Sequence, residues 1–502
     1  MRLIPVLDTE DWRSFEKQVF AEKQSFTFME QAAQKLWEQL SSVLESGELT
    51  NASMPCVRSF KYNAQKPILV LVGPGNNGGD AILLASILHV KNIPYQLVLL
   101  VAPDDLTGDA RLAWQKYVAI NAPYKTIIGE DQLKNHLESG FALIIDGILG
   151  TGQKLPLEPW FEVVERCVVQ NAAPIFAVDL PKENLSATWT VFLGGPRTEV
   201  YARQNYGQWV WADLGYDPEI WAQFAKKELY SPQWEAILPP LNPWLHKYQQ
   251  GVVGIMAGSE LMPGAAHLCC DAALRTGASV VNLCIDEFWP HSYSAQIPEV
   301  VLRLRKTDGE WRKKVQAWCV GPGLADNNAT RKAFAALWEK REAPMVVDAT
   351  ALDFLSPYLG SIKSDSSPVI LTPHEGEWQR LWGEVASTNF KARVEQVCQA
   401  AQQWKLFIVL KGPTTLIACP QGRVAVWSSP QGAMAKAGMG DILSGIITSF
   451  CSQGMDAWWA AILGVAVHSR SAYLAQKTWN QRSLQAREVV AFLPKIIEEC
   501  SL

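Results

Sequence analysis

Short apolar runs alternate with helix-like segments along most of the chain. From Lys66 to about Gly215, runs such as "PILVLVG" and "FALIIDGI" are rich in Val, Ile and Leu and end at Gly, Asp or Pro. Runs of this length and composition suit the central strands of a parallel sheet, which helices cover on both faces. The pattern therefore predicts an α/β fold built on mainly parallel sheets.

A proline-rich segment, "SPQWEAILPPLNPWLHKY", interrupts the alternation. Proline lacks a backbone N–H and disfavours both helix and strand, so the segment is typical of a linker. After it the alternation restarts, with runs such as "VVGIMAGS" and "LFIVLKG". We therefore predict two α/β domains, residues 1–230 and 246–502, joined by a linker at 231–245, and each half is long enough for its own core.

Composition narrows the class of protein. The chain has 502 residues, of which 48% are apolar and 19% charged, as in globular proteins, and its net charge of -5 argues against a nucleic-acid partner. We expect no signal peptide, since the N-terminus carries acids and no apolar core, and no membrane partner, since no run is long enough to span a bilayer. The ten cysteines form no CxxC pair. This usage predicts reduced thiols and a cytoplasmic location.

The first half contains a glycine-rich turn, "GPGNNGGDAILLASIL", between a predicted strand and a predicted helix. Clustered glycines at such a turn leave backbone N–H groups free to meet phosphate. Glycines alone would fit a structural turn equally well. Asn76, Asn77 and Asp80 add side-chain polarity that a structural turn would not need, so we favour a ligand site.

Two further acids follow strands of the same half. Asp146 lies in "IIDGILGTGQKLP", which continues into a second glycine loop from Gly150, and Asp179 lies in "AVDLPKENL". Parallel sheets bind ligands at the carboxyl ends of their strands. The three motifs are therefore predicted to converge on one crevice.

In this order the three motifs resemble the NAD(P)H-hydrate epimerase domain family. The resemblance implies a Rossmann-like domain, Asp179 acting at the epimerised C6 carbon, and Asn77 and Asp146 as ligands of a potassium ion. The residues implied to bind the hydrated dinucleotide are Asn76, Asn77, Gly78, Gly79, Asp80, Gly150, Thr151, Gly152, Gln153, Lys154, Leu155 and Pro156.

The sequence departs from this family at two positions. Lys182 stands where the family has a serine that helps to hold potassium, and Arg197 stands where it usually has a lysine. A protonated lysine cannot ligate a metal and repels a cation, so we expect this half to bind no potassium and its epimerase activity to be potassium-independent or weak. Arginine also binds anions, so Arg197 is expected to preserve phosphate binding.

The second half carries five motifs whose joint order is more specific than any one of them. They are "VGPGL", "VVDATAL", "LTPHEGEWQRL", "VLKGPTTLIA" and "AKAGMGDILSG". Taken singly, His374 reads as a helix-capping histidine and Lys411 as a solvated turn lysine. A lone GxGD pattern is likewise weak evidence.

The last motif predicts phosphoryl-transfer chemistry. Gly438 and Gly440 would expose backbone N–H groups at the start of an apolar helix, where they and the helix dipole stabilise a transferring phosphoryl group. Asp441 would then take the proton of the attacking hydroxyl as general base. The motif resembles the ribokinase-like superfamily, and the sequence has no GxxxxGK[ST] P-loop.

Together the motifs from roughly Lys247 onward resemble the ADP- or ATP-dependent NAD(P)H-hydrate dehydratases. The resemblance implies that Gly323, His374 and Asp441 contact the hydrate, with Mg²⁺ accompanying the nucleotide. The residues implied to bind ADP or ATP are Lys411, Gly412, Pro413, Thr414, Thr415, Gly438, Met439 and Gly440. Both halves together resemble the bifunctional NAD(P)H-hydrate repair enzymes, which implies NADHX and NADPHX as substrates, and we expect a homo-oligomer.

Two other readings remain open at this point. The second half fits a small-molecule kinase with the same chemistry at Asp441, which would release a stable phosphorylated product instead of free phosphate. The first half fits a dinucleotide-binding module that has lost catalysis, which would bind the hydrate without epimerising it.

Overall fold

A computed structural model describes most of the chain. The described residues are 2–22, 24–50, 52, 60–150, 159–181, 184–202, 205–225, 229–233, 238, 243–285, 297–305, 309–362 and 367–501. Seven of the predicted positions fall outside these ranges: Thr151, Gly152, Gln153, Lys154, Leu155, Pro156 and Lys182. Over the ranges described, no helix combines the length and the apolar character that crossing a bilayer requires.

The chain divides into two compact units. The first unit is Pro5–Lys226, and the second unit is Lys227–Leu502 together with Met1–Ile4. The strands are β1 (Arg2–Pro5), β2 (Ile68–Val72), β3 (Tyr95–Leu99), β4 (Tyr124–Thr126), β5 (Ile144–Gly147), β6 (Ile175–Val178), β7 (Trp189–Leu193), β8 (Gln208–Ala212), β9 (Leu229–Gln233), β10 (Val252–Met256), β11 (Val280–Ile285), β12 (Val301–Leu304), β13 (Ala317–Val320), β14 (Met345–Val347), β15 (Val369–Leu371), β16 (Phe407–Leu410), β17 (Thr414–Ala418) and β18 (Val424–Ser428).

The helices complete the α/β pattern. They are α1 (Thr9–Glu22), α2 (Ser25–Ser46), α3 (Asn76–Val90), α4 (Gly108–Ala119), α5 (Glu130–Leu137), α6 (Pro159–Val169), α7 (Thr198–Ala202), α8 (Pro218–Gln223), α9 (Pro263–Arg275), α10 (Asn328–Glu339), α11 (Thr350–Leu355), α12 (Glu375–Trp382), α13 (Phe390–Trp404), α14 (Met439–Ser452), α15 (Ala457–Thr478) and α16 (Ala486–Cys500).

The first unit is built on a seven-stranded sheet with the order β4-β3-β2-β5-β6-β7-β8. Every neighbouring pair in it is parallel. Its central strands β2, β5 and β6 are buried along their whole length, as the continuous apolar runs predicted. Because the strands are parallel, the turns after β2, β5 and β6 open on the same edge of the sheet.

The second unit is built on an eleven-stranded sheet with the order β1-β9-β18-β17-β16-β15-β14-β13-β10-β11-β12. Strands β10 to β16 pair in parallel, while β17 is antiparallel to both of its neighbours. The predicted fold class, two α/β domains on mainly parallel sheets, is confirmed. The parallel part again collects the strand-end motifs at one edge.

Two strands at the edge of this second sheet come from residues that the prediction placed, wholly or in part, in the first domain. Strands β1 and β9 extend the sheet beyond β18, and Leu229 and Tyr230 pair with Val424 and Ala425. The prediction had assigned β1 and the start of β9 to the first domain. Local periodicity marks a segment as a strand but does not show which distant strand it pairs with. Pro232 lies beyond the paired residues of β9, where a missing N–H breaks no ladder bond to β18.

Helix α14 carries the predicted phosphoryl-transfer motif and is deeply buried. Of its residues, Met439 and the continuous run 442–452 are buried. It packs on α9, where a Cβ added at Gly445 would come within 2.3 Å of the Cys269 carbonyl oxygen. This close packing fixes the start of the helix at the carboxyl edge of the parallel strands.

Candidate active sites

The second unit has a cavity of about 730 Å³ beside the start of α14. Most of the predicted nucleotide-binding residues line it: Lys411, Gly412, Pro413, Thr415, Met439 and Gly440. Apolar side chains, among them Trp427, Pro430, Met434 and Val465, form much of the remaining wall. A cavity with an apolar wall and a cationic end fits a base and its phosphates.

Four of the residues predicted for this half are not among those that line the cavity: Gly323, Thr414, Gly438 and Asp441. Thr414 lies on β17 with its hydroxyl oxygen 3.5 Å from that of Ser428. Gly438 is the N-cap of α14, with a left-handed φ of 92° that favours glycine. Gly323, in the turn after β13, lies against Met262 and Ala265.

The backbone at the start of α14 lies against a charged pair. A Cβ added at Gly440 would be 3.2 Å from the Lys411 amine and 3.5 Å from the Asp348 carboxylate. A side chain at this position would therefore crowd both groups. Glycine lets the first N–H groups of the helix stay close to the cation, so both can act on one anion.

Lys411 is held by two carboxylates, one directly after β14 and one in the first turn of α12. Its Nζ lies 2.9 Å from Asp348 Oδ1 and 3.7 Å from Glu377 Oε2. The second oxygen of Asp348 accepts a hydrogen bond of 2.7 Å from the Ser444 hydroxyl on α14. Burial alone would lower the pKa of Lys411, but the neighbouring carboxylates raise it overall, so the cation is maintained.

Asp441 lies in the first turn of α14, close to this network. Burial raises its pKa to about 6, the charge of Asp348 acts in the same direction, and Lys411 opposes both. A carboxylate with a pKa just below neutrality is ionised at pH 7 and can still accept a proton. This is the environment that a general base needs.

His374 is the N-cap residue of α12 and also lines the cavity. Its Nδ1 accepts hydrogen bonds from the N–H groups of Gly376 and Glu377, and Glu377 in turn accepts one of 2.7 Å from the His374 N–H. The side chain is 55% exposed and lines the cavity. With Nδ1 as an acceptor, Nε2 is the ring nitrogen left to carry a proton, and it lies 3.4 Å from Glu377 Oε1.

Sequence reasoning left four residues of this site unassigned. Asp348, Glu377 and Ser444 form the network around Lys411, and the sequence offered only a strand-end signal for the first of them. His468 on α15 is buried and lines the cavity, and burial, with the Lys411 charge, lowers its pKa to about 4. It lies in an apolar helix and carried no sequence signal.

The first unit has a cavity of about 720 Å³ at the carboxyl edge of its sheet. Five predicted residues line it: Asn76, Asn77, Asp80, Gly150 and Asp179. The turn motifs after β2, β5 and β6 therefore do meet there. Gly78 and Gly79 lie within α3 and Asp146 lies on β5, all three buried and outside the cavity lining.

Asp179 is paired with Arg197 in the wall of this cavity. The Arg197 Nη1 donates to Asp179 Oδ1 at 2.5 Å, and Nη2 donates to the Leu193 carbonyl oxygen at 3.3 Å. Both side chains are buried, at 1% exposure for Arg197 and 8% for Asp179. The sequence prediction gave Arg197 to a phosphate, whereas its observed partners are a carboxylate and a carbonyl. Asp179 also has a φ of 60°, which only a few non-glycine residues adopt.

The two predicted potassium ligands have different surroundings. Both polar atoms of the Asn77 amide are buried without a hydrogen-bond partner. Such an orphaned amide fits a ligand that supplies the missing contact. Asp146 Oδ1 accepts a hydrogen bond of 3.0 Å from the Ile148 N–H. Among the residues described, no group of three or more His, Cys, Asp or Glu side chains could hold a metal ion.

Two further carboxyl groups face this cavity. Burial raises the pKa of Glu16 to about 7. The charge of Arg197 opposes this shift, and the charge of Asp179 adds to it. Burial also raises the pKa of Asp80 well above its ordinary value, with Asp179 and Glu16 adding to the effect. Glu16 lies on α1 and was missed in the sequence, because it stands in an ordinary amphipathic pattern.

Comparison with known protein families assigns both units. The family model described as NAD(P)H-hydrate dehydratase matches residues 253–495, and the model described as YjeF-related protein N-terminus matches residues 25–194. These matches fall on the second and the first unit respectively.

Relatives match across both units. The bifunctional NAD(P)H-hydrate repair enzyme Nnr of Mycobacterium leprae is 32% identical, over 81% of this chain and 83% of that protein. The enzyme of the same name from Moorella thermoacetica is 29% identical, over 89% of this chain and 92% of that protein. The crystal structure of the ADP/ATP-dependent NAD(P)H-hydrate dehydratase of Bacillus subtilis with ATP and Mg²⁺ has a TM-score of 0.46 and 30% identity, covering 52% of this chain and 94% of that one.

The two α/β units have a cavity each at the carboxyl edge of their sheets, and the family matches to both units identify a two-domain enzyme that combines an isomerase with a lyase. The chain belongs to the family of bifunctional NAD(P)H-hydrate repair enzymes.

Proposed function

We propose that the first unit interconverts the R and S forms of NADHX and NADPHX, and that the second unit dehydrates the S form at the expense of ADP or ATP. The observation that carries the second assignment is Asp441 in the first turn of α14, beside the Lys411–Asp348 pair. A carboxyl group and a cation lie together at one helix N-terminus, which supports phosphoryl transfer to a hydroxyl with Asp441 as the base.

The nucleotide would occupy the cavity of the second unit. The apolar wall around Trp427 and Met434 suits the base, while Lys411 and the N–H groups after Gly438 suit the phosphates. The Glu377 carboxylate is paired with the Lys411 amine at 3.7 Å. Among the described residues, no group of three or more His, Cys, Asp or Glu side chains could hold a metal ion. Mg²⁺ would therefore be held mainly by nucleotide phosphates and water, and would neutralise the phosphate charge there.

In the dehydratase step, Asp441 would take the proton of the ring hydroxyl as that oxygen attacks the terminal phosphate. The helix N-terminus and Lys411 stabilise the charge that develops on the transferring group. His374 would contact the hydrate from the cavity wall, and Gly323 would let the ring of the hydrate approach the backbone. The C6–O bond then breaks with the bonding pair leaving on phosphate, and loss of a proton from the neighbouring C5 to solvent restores the dihydronicotinamide.

A substrate mixture tests both assignments at once. R and S hydrates are supplied together, with ADP and ATP in separate reactions, and free phosphate and reduced cofactor are measured. The proposal predicts complete conversion with equimolar phosphate. A stable phosphorylated product would instead identify a kinase, and conversion that stops at the S fraction would identify an inactive first unit.

The dehydratase reaction is expected to lose activity as pH falls through about 6. Burial raises the pKa of Asp441 to about 6, so the base is ionised above this value and protonated below it. The check is a profile of kcat/KM for dehydration of the S hydrate between pH 5 and 8. A flat profile over that range would argue against Asp441 as the base.

Wild-type epimerisation is expected to proceed equally well in sodium, potassium and choline buffers. The chemistry of Lys182, a cation where the family has a serine ligand, supports this. Lys182→Ser in the full chain should then acquire stimulation by potassium, because Asn77 has an amide without partners. Strong, saturable stimulation of the wild-type chain by potassium would refute the idea.

We also propose a cytoplasmic location and a homo-oligomeric state. The nine cysteines within the described ranges are all free thiols, which fits a reducing compartment. The oligomeric state follows only from the sequence expectation, and sedimentation of the full chain would test it.

A further inference from the structure

Glu16 lies outside the part of the chain that the epimerase-family model matches, yet its side chain reaches the epimerase cavity. The match begins at residue 25, whereas Glu16 lies on α1. It lines the same cavity as Asp179 and Asp80, and its charge interacts with that of Arg197. The first unit therefore brings a carboxyl group to the site from a helix that the match does not include.

The carboxyl groups of Glu16 and Asp179 line the same cavity in different environments. Asp179 accepts a hydrogen bond from the buried Arg197 guanidinium, which holds the carboxylate in one position. Glu16 is half-buried, and the charges of Arg197 and Arg13 act on it through space. Carboxyl groups in unlike environments commonly divide catalytic roles, one as a fixed charge and one as a proton carrier.

On the basis of the proposed epimerase function, we propose that Glu16 is the proton-transfer residue of epimerisation, while Asp179 serves as a fixed negative charge beside the reacting ring. Glu16 gives its proton to the C6 hydroxyl as this group leaves, and it regains a proton from the water that replaces it.

The step balances with water as the single co-reactant. The Glu16 proton goes to the C6 hydroxyl, the C6–O bond breaks, and the oxygen leaves with the bonding pair as water. The adjacent ring nitrogen donates its lone pair to C6, which produces a cation that the Asp179 carboxylate stabilises. Water then adds to the opposite face of C6, the nitrogen regains its pair, and the surplus proton returns to Glu16 through solvent.

The surroundings of Glu16 suit a group that must both give and accept a proton. Burial raises its pKa to about 7, so both forms are populated at neutral pH. The charged and titratable groups that line this cavity around Glu16 come from six elements or turns: Arg13 on α1, Asp80 on α3, Asp109 on α4, Asp179 after β6, Arg197 before α7, and Tyr216 after β8.

The test measures conversion of R to S hydrate by the full chain without nucleotide, so that dehydration does not occur. Glu16→Gln should lower kcat about 100-fold with little change in the dissociation constant of the hydrate. The wild-type rate should fall as pH rises through about 7, because the acid form is lost, and this limb should disappear in Glu16→Gln. Glu10→Gln, the same change at an exposed position of the same helix, is the matched control and should behave as wild type.

Each outcome decides one claim. Glu16→Gln with a near-normal rate and an unchanged pH limb would overturn the role of Glu16 and leave the epimerase assignment intact. A wild-type chain no faster than spontaneous exchange would overturn both. If Glu16→Gln does not fold, Glu16→Asp carries the test: a displaced pH limb supports proton transfer by this group, and an unchanged limb overturns it.

Discussion

Replacing Asp441 by asparagine is expected to lower the rate of dehydration about 100-fold or more. The substitution keeps the size of the side chain but removes the group that takes the proton of the ring hydroxyl. Nucleotide affinity should change little, because Lys411 and the N–H groups of α14, which are proposed to hold the phosphates, are untouched. The measurements are phosphate release and reduced-cofactor absorbance, with the nucleotide dissociation constant determined separately.

Asp353 offers a matched control for this variant. It is an acid in the first turn of another helix, α11, but it is exposed and pairs with Arg380. Asp353→Asn should leave dehydration unchanged. A chain with Asp441→Asn that turns over at the wild-type rate would remove Asp441 from the mechanism.

Replacing Asp179 by asparagine is expected to abolish most epimerisation and also to destabilise the first unit. Breaking a buried ion pair by removing one partner typically costs about 3–5 kcal/mol, because the other charge is left buried and unpaired. Here that charge is Arg197, which is 1% exposed. Asparagine tolerates the positive φ of position 179, so the backbone itself should not be strained. The checks are the epimerisation rate without nucleotide and the free energy of unfolding.

The double variant Asp179→Asn with Arg197→Gln separates the two effects. Removing both charges eliminates the unpaired group, so the double variant should be more stable than the sum of the single changes predicts. Its epimerisation should remain as low as that of Asp179→Asn, because the fixed negative charge is still missing. If epimerisation recovered together with stability, Asp179 would contribute to the reaction only by stabilising the fold of the first unit.

Some of the site could be predicted because its signals are local. The turn that starts at Gly73 and the helix that starts at Met439 appear in the sequence as glycines between a strand pattern and a helix pattern, and the structure has strand–turn–helix at both places. Strand-end acids such as Asp146 were likewise visible. Local backbone chemistry fixes such features, since it depends on neighbours in the chain.

The partners of those residues could not be predicted, because they are distant in the sequence. Lys411 and Asp348 are 63 positions apart, and Asp179 and Arg197 are 18 positions apart, yet each pair is in direct contact. The assignment of Arg197 to phosphate followed from its chemistry alone, and the fold gave it a carboxylate as neighbour. The edge strands β1 and β9 show the same limit at the level of the sheet.

The sequence by itself therefore determined the class of fold, the two-domain plan and the strand-to-helix turns that carry the chemistry, because apolar periodicity and turn residues act over a few positions. The tertiary structure decided which charges meet. It paired Lys411 with Asp348 and brought Glu16 to the epimerase cavity. Burial of Glu16 and Asp441 then raised the pKa of both carboxyl groups towards neutrality, because a charged group loses its hydration when packing surrounds it.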